Sequence, residues 1–232
     1  MNNSSGSGFG SKLYYGSGFF HLNIKVPGRN SAGVVTAFYL HSASSQGWDE
    51  LDFEFLGNLE GKPILLQTNV FTIGKGYREQ RIKLWFDPTS SFHDYKILWN
   101  PYQIVFYVDE VPIRVFENKT SQGVSYPSKP MQIQASIWNG EDWATDGGRT
   151  KTNWSYAPFF ANFRGFDIDG CRSDGSNDAT CSSSSLWWNS ARFRELNHDE
   201  RLAYQNVKRN YMDYDYCADR KRHPTTPPEC PQ

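Results

Sequence analysis

The sequence of 232 residues predicts an all-β protein, a sandwich or jelly roll, followed by a short extension of different character. Short runs rich in aromatic and β-branched residues alternate with turn residues through most of the chain. No helical period of 3.6 residues is evident before residue 190. The length is sufficient for one well-buried domain and a small addition.

The strand-like runs can be taken in chain order. Residues 1–11 are rich in Gly, Ser and Asn and are predicted to be a loop. Residues 12–26 predict two strand segments separated at Gly16-Ser17-Gly18. The Asp109-Glu110 pair predicts a turn between two later strands. The further predicted strand regions are 31–42, 48–56, 63–72, 78–87, 93–116, 131–140 and 160–170.

The C-terminal part predicts a helix and disulfides. Residues 197–217 have a partial helical stripe, with Asn197 or Asp199 as the N-cap, and a Pro-rich tail follows. Four cysteines allow three connectivities, of which proximity favours Cys171–Cys181 with Cys217–Cys230. Disulfides would indicate an oxidising compartment. The sequons at Asn118 and Asn153 predict glycosylation, and two more begin at Asn2 and Asn3.

Composition excludes several classes of function. The 24 basic residues nearly balance the 25 acidic ones, which argues against a nucleic acid or an anionic membrane as the main partner. No apolar run is long enough to span a bilayer. Sparse histidine and the lack of a Cys-x-x-Cys spacing argue against a zinc site. Aromatic residues make up 16% of the chain, enough to fill a β core and to line a groove for sugars.

The stretch GWDELDFEFLGN concentrates acidic residues on one predicted strand. Because side chains alternate along a strand, three acids share one face with Trp48, while three apolar residues face the core. The acids are Glu50, Asp52 and Glu54, and the apolar residues are Leu51, Phe53 and Phe55. Backbones four positions apart are separated by ~13 Å, so the outer two carboxyl groups can lean to within roughly 5–6 Å of each other. Retaining glycosidases require about this separation.

This arrangement predicts an ionised Glu50 as nucleophile, a protonated Glu54 as general acid and then base, and Asp52 as a helper that hydrogen-bonds to Glu50. Two alternatives remain open. An acidic edge strand would resist aggregation, and half of a calcium site would also need carboxylates. The apolar Phe53 and Phe55 argue against the first, and the alternating spacing argues against the second.

Several segments resemble the plant xyloglucan endotransglucosylase/hydrolases of glycoside hydrolase family 16. The signature is WDELDFEFLG, and further matching segments span nearly the whole chain. They are LQTNVF, REQRIKLWFDP, FHDYKILWNPYQIVFYVDEVPIR, YPSKPMQIQASIWNGEDWATDGG, KTNWSYAPF and NYMDYDYCADRKRHPTTPPEC.

The resemblance implies a concanavalin-like β-jelly-roll sandwich over residues 1–165, with a cleft on its concave face, and a family-specific extension over residues 166–232. It implies a monomeric, secreted cell-wall enzyme without a cofactor or metal. Xyloglucan would be the donor, and xyloglucan or a cello-oligosaccharide the acceptor. The substrate-binding residues that it implies are Gln67, Thr68, Asn69, Tyr77, Arg78, Glu79, Arg81, Trp138, Trp143, Ala144, Gly147, Gly148 and Arg222.

Some features modify that expectation. The short segment NGEDWATDGGRTKTNW resembles members that transfer rather than hydrolyse, and Gln67 replaces a more frequent His, which makes cello-oligosaccharide acceptors worth testing. Family members have a signal peptide and one or two strands before SSGSGFG, so an exposed edge and partly uncovered core are expected here. The alternatives are a xyloglucan hydrolase, an inactive sugar-binding form and a legume-lectin-like protein. His41 and His93 are interpreted as structural.

Overall fold

The computed structural model describes residues 1–44, 47–174 and 179–230. Its larger sheet has seven antiparallel strands in the order β1-β10-β3-β4-β5-β6-β12. Their bounds are β1 Ser7–Gly10, β10 Gln132–Asn139, β3 Val34–His41, β4 Glu50–Leu56, β5 Leu65–Phe71, β6 Gln80–Lys83 and β12 Met212–Asp215. Strand β4, which carries the acidic stretch, therefore lies at the centre of this sheet.

The smaller sheet has five antiparallel strands in the order β11-β2-β7-β8-β9. Their bounds are β11 Asn162–Arg172, β2 Tyr15–Lys25, β7 His93–Trp99, β8 Gln103–Val108 and β9 Val111–Glu117. The predicted turn joins β8 to β9, and Asp109 in it has a positive φ of 52°. The two packed sheets confirm the predicted all-β sandwich.

The core between the sheets depends on the alternation of β4. Leu51, Phe53 and Phe55 are buried, as predicted. Phe53 meets the Phe106 ring edge-on at 5.1 Å and Phe55 meets the Tyr95 ring at 4.7 Å, which joins the two sheets. These contacts fix the register of β4 and hold its acids on the outer face.

Two predictions for the N-terminal region are wrong. Residues 7–10 form an edge strand rather than a loop, because their backbone pairs with β10. Strand β2 also runs unbroken through Gly16-Ser17-Gly18 instead of turning there. A Cβ at Gly18 would lie 2.6 Å from the carbonyl oxygen of Asp169, so glycine permits the close approach of β11.

Aromatic rings lie exposed on one side of the sandwich, at the edges of both sheets. Phe9 of β1 contacts Phe163 and Phe166 of β11, each at 5.3 Å between ring centroids. Phe9 and Phe166 are each 46% exposed.

The helix α1 spans His198–Asn210 and is shorter than predicted. Asn197 caps it: its side chain accepts from the Glu200 amide while the Glu200 carboxylate accepts from the Asn197 amide. The chain then enters β12, which pairs with β6 of the larger sheet. The disulfides Cys171–Cys181 and Cys217–Cys230 have the connectivity that proximity favoured.

Candidate active site

The three acids of β4 lie together in a groove of about 620 Å³ on the outer face of the larger sheet. Glu50, Asp52 and Glu54 all line this groove, as the alternation predicted. Tyr39 and His41 of β3 line it on one side, since β3 pairs with β4 in register. The acidic edge strand is thus excluded as an interpretation, because β4 has a strand on each side.

Burial and repulsion between the carboxylates raise the pKa values of two of the acids. Burial raises the pKa of Asp52 well above its ordinary value, and the charges of Glu50 and Glu54 and a hydrogen bond with Glu50 raise it further. Burial also raises the pKa of Glu54 from 4.5 to about 7, although a hydrogen bond from Gln67 opposes the rise. A carboxyl group that is protonated near neutral pH suits a general acid.

Gln67 is placed where it can orient the predicted acid. It lies opposite Glu54 in the pairing of β4 with β5, and its Nε2 donates to Glu54 Oε2 at 2.9 Å. Thr68 was also predicted to bind substrate, but its side chain does not lie on the groove face of β5. It is completely buried on the other face of β5, where its hydroxyl and carbonyl oxygens accept from Arg114 Nη1 at 3.0 and 2.9 Å.

Arg78 was also predicted to bind substrate, and in the structure its guanidinium group contacts other parts of the chain. Its Nε donates to Glu229 at 2.7 Å, and its Nη1 donates to the carbonyl oxygens of Val70 and Lys75. Asn69 supports this loop, since its Oδ1 accepts from the Arg78 backbone amide at 3.2 Å. Arg78 therefore connects the C-terminal tail to the sheet, and its role in binding a sugar stays a prediction.

The remaining predicted residues of this segment form one cluster with the C-terminal extension. Arg222 donates through both terminal nitrogens to Glu79, at 2.8 and 3.2 Å, and its guanidinium carbon lies 4.8 Å from the centre of the Tyr77 ring. Arg81 stacks on Tyr214 at 4.7 Å. Tyr77 is 65% exposed, so this cluster presents an aromatic ring to solvent beside the sheet.

The two predicted tryptophan platforms lie together. The rings of Trp138 and Trp143 are 6.0 Å apart and inclined by 39°. Trp138 lines the acidic groove, and Trp143 is 37% exposed. Nearby, Ala144 is buried against a small apolar cluster, so its side chain faces inward. Gly147 and Gly148 have positive φ values of 64° and 85°, which shape the loop after Trp143.

Sequence reasoning missed two residues that lie next to the acids. Asp49 is buried, and its carboxylate accepts from the backbone amides of Ile73, Ser128 and Lys129 at 2.8–3.0 Å, which ties two loops to the start of β4. Tyr39 donates to Gln134 Oε1 at 2.9 Å within the groove. The sequence contained a signal for Asp49, because alternation along the predicted strand 48–56 puts it on the same face as Leu51.

The interpretation of His93 as structural agrees with its stacking on Phe86 at 3.5 Å, while His41 lies in the groove instead.

In the part of the chain that the structure describes, no group of three or more His, Cys, Asp or Glu side chains is arranged to hold a metal ion. In that same part, no helix has both the length and the apolar character needed to cross a membrane.

Comparison with known families agrees with this geometry. Residues 1–156 match the model of glycosyl hydrolases family 16, and residues 182–230 match that of the xyloglucan endo-transglycosylase (XET) C-terminus. The chain is 58% identical to xyloglucan endotransglucosylase/hydrolase protein 3 of Arabidopsis thaliana, covering 99% of this chain and 79% of that protein. The chain belongs to the xyloglucan endotransglucosylase/hydrolase family.

Other members of this xyloglucan endotransglucosylase/hydrolase family and several solved structures are also similar. Protein 2 of Arabidopsis thaliana is 60% identical, with 99% of this chain and 79% of that protein covered. A Bacillus licheniformis β-glucanase structure matches with a TM-score of 0.58 and 27% identity, over 72% of this chain and 71% of that one. The Crh5 transglycosylase, at a TM-score of 0.62 and 23% identity over 76% and 72%, supports the fold alone.

Proposed function

We propose that this protein is a xyloglucan endotransglucosylase that cuts a β-1,4-glucan backbone by a retaining mechanism and joins the fragment to a second chain. The observation that carries the proposal is the three-acid groove on β4 in a member of this family. The names of the relatives describe both transfer and hydrolysis of xyloglucan.

In the first step, the ionised Glu50 carboxylate attacks the anomeric carbon. The bond from that carbon to the leaving glucan oxygen breaks as Glu54 gives its proton to the oxygen. The elevated pKa of Glu54, about 7, keeps that proton available in weakly acidic surroundings. Asp52 hydrogen-bonds to Glu50. Because the pKa of Asp52 is raised, less negative charge lies beside the nucleophile.

In the second step, Glu54 takes the proton from the 4-hydroxyl of an acceptor sugar, and the acceptor oxygen displaces Glu50. A hydroxyl that is held beside the glycosyl-enzyme outcompetes water through effective concentration. Trp138 and Trp143 supply two adjacent indole faces on which pyranose rings can stack, and we assign them to acceptor binding. Hydrolysis is the second candidate, since water can replace the acceptor in the same step.

The proposal extends to setting and organisation. A sandwich over residues 1–165 would carry catalysis, and residues 166–232 would form the extension that closes one end of the cleft. The two disulfides favour secretion, and the relatives' substrate indicates the plant cell wall and apoplast. Of the two predicted glycosylation sites, Asn153 is exposed, whereas the amide of Asn118 donates to the Pro101 carbonyl at 2.8 Å. We therefore expect glycan at Asn153.

The test is transfer from xyloglucan to fluorescent xyloglucan and cello-oligosaccharide acceptors, followed by size-exclusion chromatography. The wild-type chain should incorporate label, and Glu50→Ala should lose incorporation while keeping its melting temperature. Asp94→Ala, which removes a carboxylate from the opposite sheet, serves as the control. Reducing-end release without incorporation would establish hydrolysis instead. Binding without either product would show an inactive sugar-binding protein.

A further inference from the structure

One ionisable side chain of the groove has no part in the mechanism above. His41 ends β3 and lies directly opposite Glu50 in the pairing with β4. Its Nε2 is 3.8 Å from Glu50 Oε2, and its side chain is 34% exposed. It lines the same groove as the three acids, so it is not part of the apolar core.

The two polar neighbours of His41 on its own and the adjacent strand hydrogen-bond to other groups, and Glu50 is the carboxylate that His41 faces. On the other side of β3, Gln132 of β10 lies opposite His41, but its Nε2 donates to the Ser11 carbonyl oxygen at 2.9 Å. Tyr39, two positions along the same strand face, donates to Gln134. In the tautomer that carries its proton on Nε2, the imidazole is a hydrogen-bond donor. A small movement of the ring would bring Nε2 within hydrogen-bonding distance of the Glu50 carboxylate.

We propose that His41 is a positioning residue that holds the Glu50 carboxylate in line with the anomeric carbon during the first step. Catalytic hydrogen bonds are often long in the free enzyme and tighten when substrate fills the site. A rotation of the imidazole would turn the 3.8 Å contact into a hydrogen bond from Nε2 to Oε2. This bond would restrain the nucleophile without supplying or removing the proton that Glu54 transfers.

This inference rests on the proposed function, so its test isolates the step in which Glu50 acts. The substrate is a xylosylated cello-oligosaccharide with a 2-chloro-4-nitrophenyl leaving group at its reducing end. Glu50 attacks, the bond to the phenol oxygen breaks, and the phenolate departs without needing the Glu54 proton. The first-turnover rate, measured as stopped-flow absorbance, therefore reports on the nucleophile.

His41→Ala should lower this rate about tenfold with little change in KM, because a hydrogen bond to a charged group is lost. His41→Gln places an amide donor near the same point, and its rate should stay within about threefold of wild type. His21 offers a matched control: its Nδ1 lies 3.6 Å from Asp94 Oδ2 on the other sheet. The corresponding Ala and Gln variants of His21 should both react at the wild-type rate.

Melting temperatures of all four variants identify a temperature at which every one is folded, and rates are compared there. A His41→Ala rate equal to wild type would overturn the inference, and so would a Gln variant as slow as the Ala variant. Both of those results require an active wild-type chain. Absence of phenol release by the wild-type chain would instead overturn the proposed function.

Discussion

Replacing Glu54 by glutamine should stabilise the fold while abolishing catalysis. Glu54 has a pKa of about 7 in the folded chain and an ordinary value of 4.5, so the folded form holds this proton more tightly than the unfolded form. Folding stability therefore falls as the pH rises from about 4.5 to 7. The difference in pKa corresponds to about 3 kcal/mol, all of it expressed above pH 7.

Glu54→Gln removes this cost because glutamine stays neutral and its amide oxygen can still accept from Gln67 Nε2. At pH 8 the variant should gain up to about 3 kcal/mol in the free energy of unfolding, or roughly 6 to 12 °C in melting temperature. Below pH 4 the gain should vanish, since the glutamate is then protonated in both states.

The assay is urea unfolding at pH 4 and pH 8 for the wild-type chain and Glu54→Gln, with transfer activity measured on the same samples. Glu60→Gln, a substitution of an exposed glutamate, controls for the change in net charge. An equal gain at both pH values would refute the reasoning, because the effect would then come from packing. A loss of stability at pH 8 would refute the assigned burial cost itself.

Three further results are expected. Gln67→Met should move the basic limb of the kcat/KM profile upward by about 1 pH unit, because it removes a hydrogen bond that holds the pKa of Glu54 down; an unmoved limb would contradict this. Trp143→Ala should raise the acceptor KM about tenfold with little change in melting temperature, as its ring is 37% exposed; initial-rate kinetics at varied acceptor decide. The double variant Cys217→Ser and Cys230→Ser should lose about 3 kcal/mol of stability in urea unfolding, and full stability would exclude a role for the cross-link.

The alternation along β4 was predictable because the apolar residues there are large and unambiguous. The same rule, applied to β5, would have directed Thr68 inward and its neighbours Gln67 and Asn69 outward. The resemblance instead assigned all three residues to substrate binding. Alternation therefore predicts the direction of individual side chains, which the motif alone does not.

Other features depend on contacts between distant positions and carry little local signal. Strand β1 is a Gly- and Ser-rich segment whose strand character comes from its pairing with β10. The predicted helix ends early because residues 212–215 find a partner in β6. Arg78 could not be assigned from its own segment, since its partner Glu229 lies 151 positions away.

The pairing of β6 with β12 has a consequence for the order in which the larger sheet can fold during synthesis. Strand β12 of the larger sheet, and the Arg222 that bridges to Glu79, follow all the other described strands in chain order. During vectorial synthesis, strand β4 can pair with both of its neighbours long before β12 and Arg222 emerge. A nascent chain would thus carry a groove that is incomplete at one end until residues 212–222 have left the ribosome.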